Sequence, residues 1–259
     1  MTTDPFSVLC EAAQGWGVAM GAEQLGLLRR YVSQVIAFNE RTNITADGDL
    51  DTVVLRHVAD GLACIPVLRD LALQNNGRPG STSSPELLDA GSGAGFIGIS
   101  VKIAWPHARV TLMEPRLRRF AFLSAVAAEL ALKDIRLLRK SAQDLGPRGP
   151  RFDFVLSRAL APIPKALAWT LPLAKAGGHV VVYQSGAPDP ATPALRRVLS
   201  RAGAAWLGAR RYRRPAEETD RFLAVFSVNP APGVGEIGAR GRAKGCSPHR
   251  TASAEGDPH

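Results

Sequence analysis

One stretch constrains the chain more than any other: Leu87-Leu88-Asp89-Ala90-Gly91-Ser92-Gly93-Ala94-Gly95-Phe96. An apolar run ends in an acid, turns through three alternating glycines and opens into a helical pattern. Glycine adopts the positive φ that a turn this tight demands, and amides at the following helix N-terminus offer backbone donors to a ligand. A strand, a glycine turn and a helix in that order predict an α/β sheet with a small-molecule site at its carboxyl edge.

The flanking sequence repeats the pattern. Short apolar runs at 87–90, 109–114, 135–138, 152–156, 179–183 and 222–228 read as strands. Helical spacing fits 97–104, 116–132, 164–174 and 191–202 between them. Residues 1–75 read instead as helices. Leu25, Leu28, Val32, Val35 and Ile36 make one apolar stripe over 22–38, followed by a polar link from Asn39 to Thr45. Asp51 or Thr52 is placed to cap a second helix, whose face of Val54, Leu55, Val58, Leu62 and Ile65 runs to Pro66. The expected organisation is a helical extension at 1–75, a linker at 76–85, an α/β domain at 86–229 and a disordered Pro/Gly/Ala/Arg-rich tail at 230–259.

Gly93, Gly95 and Gly98 also satisfy GxGxxG, so a dinucleotide and S-adenosylmethionine both compete for the loop. Asp89 separates them. A carboxylate at the strand end repels a pyrophosphate but suits a cofactor that carries an ammonium and a sulfonium, so S-adenosylmethionine is favoured. Glu114, at the end of the second strand, is placed to accept from ribose hydroxyls in either case. Arg158, directly after the fourth strand, faces the same edge, and Ser141-Ala142-Gln143 follows the third.

The fourth strand ends Leu156-Ser157-Arg158-Ala159. It lacks the Asn/Asp-Pro-Pro-aromatic turn usual for methylation of exocyclic amines, and residues 86–229 contain no cysteine for attack on a pyrimidine C5. No His, Asp or Lys stands out as a general base, and no catalytic residue is assigned. An acceptor with a ready lone pair, such as guanine N7, suits that emptiness.

Charge points to the acceptor's class. The 259 residues carry net +9, and segment 86–229 alone holds 22 basic against 11 acidic residues. That excess suits a phosphate backbone. Cys10, Cys64 and Cys246 form no CxxC pair, so neither a disulfide framework nor a metal site is expected. With Asp4 and Glu11 early, no basic-then-apolar leader and no bilayer-length apolar run, the expectation is a cytoplasmic protein with no membrane partner.

Over about residues 20–228 these motifs resemble the bacterial small-subunit ribosomal RNA guanine-N7 methyltransferase G family, also called glucose-inhibited division protein B. The resemblance rests on Asn39-xxx-Asn43-Ile44-Thr45, Arg56-His57-Val58-Ala59-Asp60, the Asp89–Phe96 loop, Arg118-Arg119-xx-Phe122-Leu123, Ser157-Arg158-Ala159 and Asp220-Arg221. It implies a class I, Rossmann-like S-adenosylmethionine-dependent methyltransferase with an N-terminal helical extension. It further implies a monomer acting on guanine N7 in the decoding-region loop of 16S ribosomal RNA, free or in a small-subunit assembly particle. Residue by residue, the resemblance and the loop reading together assign the cofactor site to Asp89, Gly91, Gly93, Gly95, Phe96, Glu114, Ala142, Gln143 and Arg158. Asn39, His57, Arg118, Arg119 and Arg221 are carried over as RNA contacts or scaffold. Three positions depart from the family pattern: Ile97 replaces a proline, Gln143 an acid and Gln184 a lysine. A small-molecule methyltransferase and a non-catalytic RNA-binding protein with a vestigial pocket are the alternatives.

Overall fold

Short runs of Val, Leu, Ile and Phe pair into one seven-stranded sheet in the computed structural model, which describes residues 3–75, 84–145, 149–215 and 217–229. The strands are β1 (Glu86–Ala90), β2 (Arg109–Met113), β3 (Ile135–Leu138), β4 (Phe152–Ser157), β5 (Ala174–Gln184), β6 (Ala204–Arg213) and β7 (Asp220–Val228). Their order is β3-β2-β1-β4-β5-β7-β6. The first five run parallel, and β7 is antiparallel to both of its neighbours. Strand order reverses between β1 and β4, and such a switch point opens a crevice at the strands' carboxyl ends.

Alternate residues of each strand feed two cores. Leu87, Leu112, Phe154 and Val181 enter one, while Leu88, Met113, Val155 and Val180 enter the other. The second core is closed by α8 (Ile163–Thr170) and α9 (Pro193–Ala202), through Leu167, Leu195 and Leu199. The first is closed by α6 (Gly98–Ala104), α7 (Leu117–Glu129) and the N-terminal helices. Those are α1 (Pro5–Gly15), α2 (Ala22–Thr42), α3 (Leu50–Thr52), α4 (Ala59–Ala63) and α5 (Ile65–Asn75), with a wider π turn at Val53–Val58. Phe6, Leu9, Leu28, Tyr31, Val54, Leu62 and Leu68 are buried in the same cluster as Phe154 and Val181, so this layer completes the sheet's own core. Fully burying such side chains contributes roughly 1.5–3 kcal/mol each.

Several local expectations need correction. Helix α2 runs through Asn39 and stops only at Asn43, whose φ of 46° is left-handed. Asn and Gly tolerate that region, so asparagine ends the helix. The next helix is capped by neither Asp51 nor Thr52: Asp49 accepts from the Thr52 amide at 2.8 Å. Pro66 begins a helix rather than ending one, because a first-turn residue needs no amide donor. Strand β6 lies outside the expected set. Its Arg210, Arg211 and Arg213 mask the apolar alternation, as befits a charged sheet edge. Residues 76–83 of the expected linker and all of the expected tail fall outside the described residues.

Helix α4 approaches α6 so closely that a Cβ on Gly61 would lie 2.5 Å from the Phe96 carbonyl oxygen and 2.6 Å from Ser100 Cβ. Gly61→Ala is expected to lower unfolding free energy by about 1–3 kcal/mol, the cost of forcing extra volume into a packed contact. Gly26→Ala, on α2 with no atom within 4 Å of its Cβ, should instead stabilise by about 0.5–1 kcal/mol. Urea unfolding of both variants checks the pair of signs.

Candidate active site

At the end of β1 the chain turns through Gly91, Gly93 and Gly95, at φ of 78°, 60° and 88°. The Gly91 and Ser92 amides donate to the Met113 carbonyl at 2.9 and 3.0 Å, tying the turn to the end of β2. Glu114, buried there, reaches back: one carboxylate oxygen accepts from the Gly93 amide at 3.0 Å and the other from the Arg116 amide at 2.9 Å. Asp89 is 2% exposed, and its Oδ2 accepts from the Gly98 amide at 3.0 Å, at the N-terminus of α6. Burial raises its pKa to about 6, against the pull of the Gly98 amide and the Arg158 guanidinium. The acid is therefore first an anchor between strand and helix. A carboxylate has about four acceptor positions, so Asp89 and Glu114 both retain capacity for a ligand.

The other wall comes from the helical layer. Asp60, 1% exposed on α4, accepts from Arg158 at 2.9 Å on one oxygen, and from Tyr212 at 2.6 Å and Arg214 at 2.8 Å on the other. Its backbone carbonyl accepts from the Tyr183 hydroxyl at 3.1 Å. His57 lies one turn earlier and stacks on Phe96, with ring centroids 4.5 Å apart and planes 18° apart. Its Nδ1 lies 3.1 Å from an Arg158 nitrogen and its Nε2 lies 2.8 Å from Asp47. Arginine has only donors, so Nδ1 accepts and the proton of the neutral ring sits on Nε2, facing Asp47. Burial and then the Arg158 guanidinium hold the His57 pKa below its ordinary value, although Asp47 pulls it up.

Between these walls lies a cleft of about 580 Å³, lined among others by Gly91, Gly93, Ala94, Gln184 and Ser185. Its size falls within the roughly 300–1,000 Å³ of small-molecule sites. Of the residues singled out from sequence, Asp89, Gly91, Gly93, Phe96, His57, Arg119, Arg158 and Arg221 all border it. Gly95, Glu114, Ala142, Gln143, Asn39 and Arg118 do not. Gly95 packs its α-carbon toward Ile99 and Leu123, and Ala142 is buried beside Leu145 in a short 3-10 turn that leaves Gln143 exposed. Asn39 turns inward, its Oδ1 accepting from the Thr45 amide at 3.0 Å, and Arg118 is exposed on α7. Phe96 is 4% exposed, with its ring covered by His57 and with Arg158 5.5 Å from its centroid.

Asp47, Arg56, Asp60, Tyr212 and Arg214 were not singled out as site residues, yet all line the cleft. Asp60 had a sequence signal in Arg56-His57-Val58-Ala59-Asp60. Tyr212 and Arg214 had none, because they follow from an unanticipated strand. Removing one member of a buried ion pair leaves the others uncompensated, so Asp60→Ala is expected to cost about 3–5 kcal/mol of stability. Asp60→Asn, which keeps an acceptor for Tyr212, should cost less. Guanidinium unfolding of the two variants tests that ranking.

The family model described as rRNA small subunit methyltransferase G matches residues 24–201. The chain is 31% identical to the ribosomal RNA small subunit methyltransferase G of Roseiflexus castenholzii over 228 residues, covering 86% of this chain and 92% of that one. It is 28% identical over 235 residues to the protein of the same name from Chloroflexus aggregans, covering 90% and 94%. Among solved structures, magnesium protoporphyrin IX methyltransferase from Synechocystis PCC 6803 with bound SAM shares the fold, with a TM-score of 0.50 at 16% identity over 76% of this chain and 97% of that one. The glycine turn, the strand order and these matches lead to one conclusion: the chain belongs to the rRNA small subunit methyltransferase G family and has the Rossmann-like fold of S-adenosylmethionine-dependent methyltransferases.

Proposed function

We propose that the cleft seats S-adenosylmethionine and aligns its methyl group with N7 of a guanine in 16S ribosomal RNA. Membership of the family supports the reaction and the ribosomal substrate. One observation carries the choice of N7: the candidate bases on the helical wall of the cleft, opposite Asp89, are already engaged. The His57 lone pair is taken by Arg158, Asp47 faces His57, and Asp60 accepts from three side chains. A nucleophile that must lose a proton would have to draw on a group already committed to another contact, whereas guanine N7 attacks through its own lone pair. The chain's task is then alignment and charge placement.

The cleft fits the cofactor chemically. When bound, S-adenosylmethionine supplies a methyl group activated by a positive sulfonium. Asp89 places a carboxylate beside the turn, and Glu114 has acceptor capacity left for ribose hydroxyls. Gly91 and Gly93 keep the backbone open to close approach. Asp60 pairs with both Arg158 and Arg214 and His57 is uncharged, which lowers the positive charge of the wall opposite Asp89. On this reading Phe96 holds His57 in place, Gly95 fits the turn against α6 and α7, and the adenine extends beyond the cleft toward Ala142 and Gln143. Arg118 and Arg119 on α7, with Arg221, face the RNA backbone, and Asn39 supports the loop that carries Asp47. Among the described residues no helix is long and apolar enough to cross a membrane. Among those residues the exposed large hydrophobics, Leu50, Leu73 and Leu117, lie on separate helices, which supports a monomer, and the ribosomal substrate places its action in the cytoplasm.

Incubation with methyl-labelled S-adenosylmethionine and either small subunits or naked 16S RNA should label guanine N7, read by borohydride reduction followed by aniline-induced strand scission. Label on an exocyclic amine or at C5, or on low-mass acceptors alone, overturns the proposal. A second outcome concerns pH. Native Asp89 keeps its proton up to about pH 6, well above the ordinary carboxylate range. A cation therefore meets a neutral acid below that pH and a carboxylate above it. Affinity for S-adenosylmethionine, measured by calorimetry, should rise as pH increases through about 6 and then level. Asp89→Asn should flatten that rise and weaken binding about tenfold at pH 7.5, a loss of ~1.4 kcal/mol.

A further inference from the structure

At the mouth of the cleft one carboxylate is held by three arginines. Glu217 Oε1 accepts from Arg56 Nε at 2.8 Å and from an Arg214 terminal nitrogen at 3.1 Å, and its Oε2 lies 3.4 Å from an Arg221 terminal nitrogen. Arg214 and Arg221 flank Glu217 at the link between β6 and β7, three and four residues away, while Arg56 reaches it from the π turn 161 residues earlier. The local charge is unbalanced. Among the described residues, Arg56, Arg158, Arg214 and Arg221 make their ion pairs with just Asp60 and Glu217, and the buried Arg221 Nε has no hydrogen-bond partner. An arginine cluster with an idle buried donor has more capacity than one carboxylate fills.

The accessible sides fit a larger anion. Arg56 is 44% exposed, while Arg214 is 10% exposed and pinned by Asp60, so the nest has one rigid and one open wall. All three arginines also line the cleft in which the methyl acceptor must lie. A phosphodiester carries the same single charge as a carboxylate and the same pair of equivalent acceptor oxygens, and arginine forks match both. Glu217 stands where such a group would stand.

We propose that Arg56, Arg214 and Arg221 form a binding site for one phosphodiester of the substrate RNA, and that Glu217 occupies it until the RNA phosphate takes its place. The inference rests on the proposed ribosomal RNA substrate and adds a specific contact to it. Exchange needs only rotation of the Glu217 side chain, because each arginine keeps its donors aimed at the same point. The filled apo site has a consequence for selectivity. A stray anion must compete with an intramolecular carboxylate, while a chain already held by other phosphates displaces it at high effective concentration. The arginines therefore stay paired in the free protein and become available when extended RNA docks.

The test compares wild type, Glu217→Gln, Arg56→Gln and the double variant. Filter binding of 16S RNA across a salt series reads affinity, and thermal unfolding with and without inorganic phosphate reads the site directly. Glu217→Gln should bind RNA about threefold to tenfold more tightly, since a competing charge-assisted contact is removed. Arg56→Gln should weaken RNA binding and reduce the salt slope by about one, the share of a single phosphate contact. Inorganic phosphate should raise the Tm of Glu217→Gln more than that of wild type, and the gain should fall in the double variant. Equal phosphate stabilisation in wild type and Glu217→Gln, or RNA affinity lowered by Glu217→Gln, overturns the inference. Wild-type methylation of 16S RNA in the same preparations keeps that failure distinct from failure of the proposed function, which would show as no methylation at all.

Discussion

The Asp60 carboxylate is the interaction on which the rest of the site depends. Removing an ionised carboxylate from water costs several kcal/mol unless good hydrogen bonds surround it. Here Arg158 leaves the end of β4, Tyr212 and Arg214 leave the end of β6, and Tyr183 on β5 meets the Asp60 backbone carbonyl. Three strand ends are thereby aimed at one point on α4. Gly61 lets α4 lie close enough to α6 for those bonds to form, which seats the helical layer directly over the glycine turn. His57 follows in consequence. With Phe96 beneath it and Arg158 and Asp47 at its two nitrogens, its ring has neither rotational freedom nor a lone pair to spare.

The same pairing changes the meaning of the basic charge. Segment 86–229 has twice as many basic as acidic residues, yet much of the excess near the cleft is engaged internally. Arg158 and Arg214 meet Asp60, Arg211 and Arg213 meet Asp220, and Arg210 lies 3.9 Å from Asp70. The exposed pairs of Asp220 and Asp70 contribute little stability, about 0–1 kcal/mol each, but together with the buried Asp60 pairs they decide which arginines face solvent unpartnered. A count of arginines therefore overstates the surface offered to phosphate. On α9, Arg196, Arg197 and Arg201 stay exposed around the buried Leu195 and Leu199.

Legibility followed the range of the interaction. The glycine turn, its flanking strand and its helix were readable because φ preference and period-two burial act within a few residues. Asp89 shows the limit of that reading. Its place at the strand end was evident, but its burial and its bond to the Gly98 amide were not, and they make it a structural anchor. Glu114 was expected to face a ribose, and the fold also spends its two oxygens on the Gly93 and Arg116 amides. Gln143 and Arg118 had the right sequence neighbours and came to rest outside the cleft.

By itself the sequence determined the α/β class, the parallel core of the sheet and the glycine turn at its carboxyl edge, each encoded in local spacing, and its motifs carried the resemblance to the family. Only the tertiary structure decided that Asp60 would gather Arg158, Tyr212 and Arg214, that His57 would be a neutral stacked ring, and that Glu217 would sit among three arginines. Apart from the Arg214 and Arg221 contacts of Glu217, which are local, those contacts join residues 98, 152, 154, 101 and 161 positions apart. Local propensity carries no information across such distances. The pairing is selected instead by the cost of leaving a buried charge unmatched, and that cost exists only once the sheet and the helical layer have closed on each other.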